Sequence, residues 1–205
     1  MKQIIYRLFL GLIITSLTLI LSVQFFSYNT DYIYKNMTKN SKISNSDYMK
    51  ISKNLTYFLK NNKNNLNFYI NKDNQRQKAF NKKEIKHMED VQDIYYKLNI
   101  LKYILVFIIL TSIIFRKKDF LKSIYYSTSI SLIFTLILII LIYFSFNKTF
   151  IIFHKLAFSN DLWLLNPNTD LLINLVPESF FIEISKNIIK LFVFINIFLS
   201  FISKL

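Results

Sequence analysis

The sequence predicts an all-α membrane protein with four transmembrane helices and two folded outer segments. Three observations carry this: long blocks of uncharged apolar residues, a short basic connection between two of them, and two polar stretches too long and too patterned to be simple loops. The chain has 205 residues, of which 53% are hydrophobic and only 19% charged. That balance is too apolar for an ordinary soluble domain.

The first apolar block, Leu8–Phe26, is long enough to cross a bilayer, which takes roughly 20 residues. Lys2 and Arg7 precede it, as in a signal peptide. The block is too long for a typical signal core and no small-x-small cleavage site follows, so it reads as a retained span. Ile100–Phe115 is the second block, with Lys102 able to snorkel to the interface. Ile124–Phe146 is uncharged and is the clearest span. The fourth runs from about Asn187 to Leu205 and contains Lys190. The predicted organisation is transmembrane helix 1 over 1–26, an outer segment over 27–98, helix 2 over 99–115, a cytoplasmic loop over 116–123, helix 3 over 124–146, a second outer segment over 147–183 and helix 4 over 184–205.

Orientation follows from the connection Arg116-Lys117-Lys118-Asp119-Phe120-Leu121-Lys122. Short basic loops stay in the cytoplasm, which places both polar segments outside the cell.

Within the first outer segment, Ser46–Lys60 has a helix start signal at Ser46, and Ile51, Leu55, Phe58 and Leu59 share one face. Leu66, Phe68 and Ile70 alternate with Asn67 and Tyr69, as in a short strand. Asn61–Asn65 and Lys72–Gln75 read as loops, so a short strand pair is compatible with this stretch. Asn81-Lys82-Lys83-Glu84 has capping-box spacing and starts a helix that feeds the second span. The second outer segment is interrupted by Pro167 and Pro177 and is placed at the interface, folded against the first.

Composition removes several chemistries. No cysteine means no thiolate metal site and no cysteine nucleophile. The single glycine, Gly11, excludes a P-loop, a dinucleotide fingerprint and a G-x-S-x-G elbow. Two histidines are too few for a polyhistidine metal centre, and no cofactor is implied. The net charge is +14, but the lysines lie beside the apolar blocks, where they face water or lipid head groups. No nucleic-acid-binding pattern is present, so no nucleic-acid partner is expected.

The two histidines are the candidate chemistry. His87 lies in the middle of a helical face formed by Glu84, His87, Met88, Val91, Ile94, Tyr95 and Leu98, with Asp90 at its edge. A histidine centred on an apolar face is also what a satisfied core residue looks like. His154 follows Phe150-Ile151-Ile152-Phe153 just beyond the third span, where an interfacial anchor would also sit. Both histidines fall on the outer side of the predicted topology.

The second outer segment reads Phe153-His154-Lys155-Leu156-Ala157-Phe158-Ser159-Asn160-Asp161-Leu162-Trp163-Leu164-Leu165-Asn166-Pro167-Asn168-Thr169-Asp170. This run strongly resembles the signature of the lipoprotein intramolecular transacylases, the Lit family. Glu84-Ile85-Lys86-His87-Met88-Glu89-Asp90-Val91 resembles that family's other motif, and order and spacing agree over nearly the whole chain. Gln92 departs from the pattern, where many members carry lysine, and 31–80 matches no family motif.

The resemblance implies four helices under an extracellular cap, in a multi-pass protein of the bacterial cell membrane. It implies an acyltransferase whose partners are diacylglyceryl-modified lipoproteins and membrane lipids. The sn-2 acyl chain of such a lipoprotein moves to the α-amino group of its N-terminal cysteine, giving a lyso-form. His87 and His154 match the family's two catalytic histidines. Glu84 or Asp90 would orient His87. Asn160 and Asp161 would polarise the reacting groups or orient His154, although Asn and Asp are also common turn and cap residues. Trp163 and the nearby phenylalanines would line an acyl pocket or anchor at the interface, and Asp170 would bind substrate or cap a turn.

Two other readings fit the residues. One is an outer-face lipase or intermolecular acyltransferase, which the lack of an evident protein nucleophile disfavours. The other is a non-enzymatic membrane assembly or transport protein, disfavoured by the lack of internal repeats and of charged groups within the third span.

Overall fold

The computed structural model describes residues 1–60, 65–73 and 75–203. It is 78% helical. The elements are α1 (Lys2–Ser27), α2 (Thr30–Asn36), α3 (Asn45–Lys60), β1 (Tyr69–Lys72), β2 (Gln75–Lys78), α4 (Lys82–Ala157), α5 (Leu171–Leu175) and α6 (Glu178–Ile202). Three of them, α1, α4 and α6, are long and apolar enough to cross a membrane. The chain divides into two compact units: Met1–Gln24, Lys97–Ser145 and Ser185–Leu205 form the first, and Phe25–Tyr96 with Phe146–Ile184 form the second.

In the first unit, α4 is not one straight rod. Arg116 (φ −143°, ψ 44°) and Ser145 (φ −164°, ψ 55°) leave helical geometry. The hydrogen bonds to α1 show that the chain reverses at Arg116. The Tyr6 hydroxyl donates to Ser112 and the Gln24 amide to Asn99, so the arm before Arg116 runs antiparallel to α1. Arg7 pairs with Asp119 and Thr15 with Ser127, so the arm after it runs parallel. The expected connection over 116–123 is therefore narrower than predicted. Only Arg116 turns, and Lys117–Ser123 are already helical. Asp119 accounts for the difference: it accepts from both Arg7 and Arg116 at the turn, so the next helix starts at once. The last helix likewise begins earlier than 184, at Glu178 directly after Pro177, whose carbonyl accepts from the Phe180 N–H.

The core of this unit gathers Leu10, Ile13, Ile14, Ile20, Leu105 and Ile124. Gly11 permits close contact. A Cβ built there would lie 3.0 Å from the Ser127 nitrogen and from the Tyr126 Cβ. Beside it runs a buried polar chain: Thr15 with Ser127, Ser127 with Asn196, and Asn196 with Thr18. In an apolar medium each such group needs a partner, and these partners come from three separate stretches of sequence.

In the second unit, α3 starts at Asn45, one residue before the expected Ser46. Ser44 is its cap, accepting from the Asp47 N–H at 3.1 Å. Ile51, Leu55 and Phe58 are buried as their spacing predicts. β1 pairs antiparallel with β2 in the register Tyr69↔Lys78 to Lys72↔Gln75, so the chain is not purely α-helical. The strand starts at Tyr69 rather than Leu66, although Leu66 is buried. Gln75 belongs to β2, not to a loop, and the turn includes Asp73 at φ 52°. The expected loop at 61–65 lies outside the described residues except for Asn65, as does residue 74 of the expected loop at 72–75. Asp47 accepts from the Asn71 N–H at 3.2 Å, which fastens α3 to β1.

Candidate active site

The site is built within the second unit from both ends of α4. At the N-terminal end, the Asn81 side chain accepts from the Glu84 N–H at 3.0 Å, and the Glu84 carboxylate accepts from the Asn81 N–H at 2.7 Å. The reciprocal box satisfies two N–H groups that a helix start otherwise leaves bare. Glu84 is 1% exposed, and its other oxygen accepts from the Leu172 N–H at 2.6 Å. Burial raises its pKa, opposed by the hydrogen bonds from Leu172 and Asn81. The Asn81 amide in turn donates to Asp170 at 2.8 Å. Asp170 also accepts from the Asn166 N–H and the Thr169 hydroxyl. Glu84 and Asp170 thus tie the start of α4 to 166–172, and neither reaches an imidazole.

One turn further, His87 is 7% exposed and its Nδ1 has no hydrogen-bond partner. Buried polar atoms are ordinarily paired, and this one is not. Burial, with the nearby His154, lowers its pKa to about 4, against the pull of Asp90. His87 is therefore neutral at ordinary pH.

At the other end of α4, past Ser145, His154 occupies the final turn and is 8% exposed. Its Nδ1 lies 2.7 Å from the Phe150 carbonyl oxygen. A carbonyl only accepts, so the proton is on Nδ1 and Nε2 carries the lone pair. Burial lowers the pKa of His154, and the bond to Phe150 opposes the shift.

The two imidazoles face one another with centroids 6.1 Å apart. Phe158 stands against both, at 5.2 Å from His87 and 5.6 Å from His154. Phe150 lies at 4.1 Å from His154 and Trp163 at 5.0 Å, both tilted rings. The result is an apolar cluster of rings packed around two imidazoles whose charged forms burial disfavours.

Trp163 is carried by the loop 158–170, and three ties hold that loop. Asn160 donates to Asp90 at 2.9 Å. Lys83 donates to the Leu164 carbonyl. Asn81 donates to Asp170, as above. The Asn160 oxygen also accepts from the Leu162 N–H at 3.0 Å, an Asx turn. The residues predicted for the site thus separate into groups. His87, His154 and Trp163 come together. Asp90 and Asn160 pair with each other beside them. Glu84 and Asp170 form the scaffold. Asp161 is exposed and contributes its backbone carbonyl to the turn. Asn81, the start of the capping box, and Phe150 and Phe158, two of the phenylalanines near Trp163, complete the arrangement. These Phe residues stand four positions either side of His154, a helical spacing that brings them to its ring. Among the described residues, no group of three or more His, Cys, Asp or Glu is placed to hold a metal ion.

The family model of the lipoprotein intramolecular transacylase Lit matches residues 3–181. No curated protein matches by sequence. The fold is similar to the solved structure of the membrane-integral lipoprotein intramolecular transacylase Lit from Bacillus cereus. The TM-score is 0.81 at 20% identity, over 99% of this chain and 94% of that one. A variant of the same Bacillus cereus protein with one histidine changed to alanine aligns with TM-score 0.73, again at 20% identity, over 99% of this chain and 92% of that one. At this identity the likeness concerns the fold.

Proposed function

The chain belongs to the lipoprotein intramolecular transacylase (Lit) family, and on that premise we propose that it moves the sn-2 acyl chain of a diacylglyceryl-cysteine lipoprotein to the cysteine α-amino group. The protein crosses the bacterial cell membrane four times, the long helix contributing two crossings on either side of the reversal at Arg116. Both histidines work on the outer face, where mature lipoproteins are anchored.

The observation that carries this reading is the pair itself. The only two histidines of the chain, 67 positions apart, are buried together among aromatic rings with centroids 6.1 Å apart. The nucleophile is the substrate's own amine, so the absence of cysteine costs the reaction nothing. Attack closes a ring of about eight members, and orientation of such a reaction is worth roughly 7–11 kcal/mol.

His154 is the base, because its Nε2 lone pair is available and its Nδ1–H is anchored. It takes a proton from the attacking amine as the new N–C bond forms. The ester oxygen on glycerol leaves and receives that proton. His87 stays neutral and donates a ring N–H to the oxyanion. Phe150, Phe158 and Trp163 exclude water, which would otherwise intercept the acyl group. Asp90 and Asn160 position the loop rather than the imidazoles.

The test is to make His87→Gln and His154→Gln separately and analyse the N-terminus of a reporter lipoprotein by mass spectrometry. Each change should lower lyso-form production by about 10²–10⁴, the usual range for an acid–base group. Lyso-form at normal levels would remove that histidine from the mechanism, and free fatty acid without N-acyl product would indicate hydrolysis instead.

A further inference from the structure

The first unit holds eleven Lys or Arg residues and a single carboxylate, Asp119. That carboxylate is already committed, at 2.8 Å to Arg7 and 3.0 Å to Arg116. Just beyond the turn, Lys118, Leu121, Lys122 and Tyr125 fall on one helical face by their spacing. With Ser200 and Ser203 from the end of α6 they line a cavity of about 400 Å³. Among the described residues, neither Lys118 nor Lys122 has an ion-pair partner.

The donors left over describe the ligand. The Ser203 hydroxyl spends its proton on the Ser200 carbonyl at 2.9 Å. Two ammonium groups, the Tyr125 phenol and the Ser200 hydroxyl remain, and among the described residues no carboxylate lines the cavity. Such a set suits an anion with several oxygens, as phosphate is. The surroundings are apolar and exposed: Leu121 at 38%, Tyr125 at 64%, and near the end of α6 Phe201 at 64% and Ile202 at 47%. A free phosphate ion would leave that surface unused, and the positive charge of a zwitterionic headgroup would be repelled by the lysines.

We propose that this cavity binds the phosphate headgroup of an anionic phospholipid, held between Lys118 and Lys122, with the acyl chains along the apolar surface beside it. Basic pockets between helices are suited to such headgroups. The site shares no residue with the histidine pair and requires only that the first unit lie in a bilayer.

Native mass spectrometry of the full chain in detergent micelles tests this, with phosphatidylglycerol, phosphatidylcholine or inorganic phosphate added. Wild type should retain phosphatidylglycerol at least about tenfold better than phosphatidylcholine, given the size of lysine–anionic lipid attraction. K118Q/K122Q should lose that advantage. S200L, which fills the cavity without changing charge, should lose it too, while K118R/K122R keeps it and shows that the altered helix still folds. K2Q/K117Q removes the same charge outside the cavity and should bind as wild type does. Equal retention in K118Q/K122Q and S200L would overturn the proposal. So would equal loss in both charge-removing pairs, or displacement of the lipid by equimolar inorganic phosphate.

Discussion

The Phe150 carbonyl oxygen lies 2.7 Å from Nδ1 of His154 and thereby sets the tautomer of that ring. The lone pair is on Nε2, and burial holds the pKa below its usual value. His154 is therefore already an unprotonated base under mildly acidic conditions. Activity should rise with pH through a limb below about 6.5, the ordinary histidine value, and continue rising as the substrate amine deprotonates. A rate profile of lyso-form production against pH checks this, and a limb centred above 6.5 with a pre-deprotonated amine would contradict it.

His87 adds a pH dependence of stability. Its folded pKa of about 4 lies below the ordinary histidine value of 6.5, so the unfolded chain binds more protons between those values. Its contribution is present above 6.5 and is lost as pH falls toward 4. Melting temperature in detergent should decline over that window in the wild type and decline less in His87→Gln.

Asp90 is the carboxylate that the sequence places beside His87, yet it accepts from Asn160. Asn160→Asp should place two carboxylates together and lower activity by about tenfold or more, like charges at contact costing over 1 kcal/mol. The exchange D90N/N160D rebuilds the pair with donor and acceptor reversed and keeps an oxygen for the Leu162 N–H. Activity should recover substantially in the double variant. A double variant no better than N160D would show that Asp90 acts on the chemistry directly.

Glu84 works through stability. Its two oxygens satisfy backbone N–H groups of Asn81 and Leu172. Glu84→Ala should destabilise the second unit by about 2–4 kcal/mol, from the lost cap and two stranded donors. The drop should appear in thermal melts, and activity at low temperature should suffer less than in either histidine variant.

Gly11 is set by contact, not by backbone conformation. A Cβ there meets the Ser127 nitrogen and the Tyr126 Cβ at 3.0 Å. Gly11→Leu should force α1 away from the arm after Arg116 and cost about 1–3 kcal/mol. Yield and melting temperature of the purified variant measure the effect.

Much of this was open to reading along the chain because it is local. The apolar blocks at Leu8–Phe26 and Ile124–Phe146, the α3 stripe Ile51, Leu55, Phe58 and the capping box at Asn81 each depend on residues a few positions apart. β2 was hidden for the same reason: Gln75-Arg76-Gln77-Lys78 is exposed throughout, so burial imposes no alternation to find. The basic run after Arg116 resembles a loop because its lysines are polar, whereas Asp119 lets it be helix. The motif resemblance identified His87 and His154 and the family, without their geometry.

The sequence by itself thus determined the apolar helices, the two candidate histidines and the polar segments around them, since hydropathy and periodicity are short-range properties. Only the tertiary structure decided what the carboxylates do. It gave Asp90 to Asn160 and Asp170 to Asn81, pairs 70 and 89 positions apart. It also left the His87 Nδ1 unpaired. A buried polar group takes whichever partner packing brings within 3 Å, and no spacing along the chain encodes that choice.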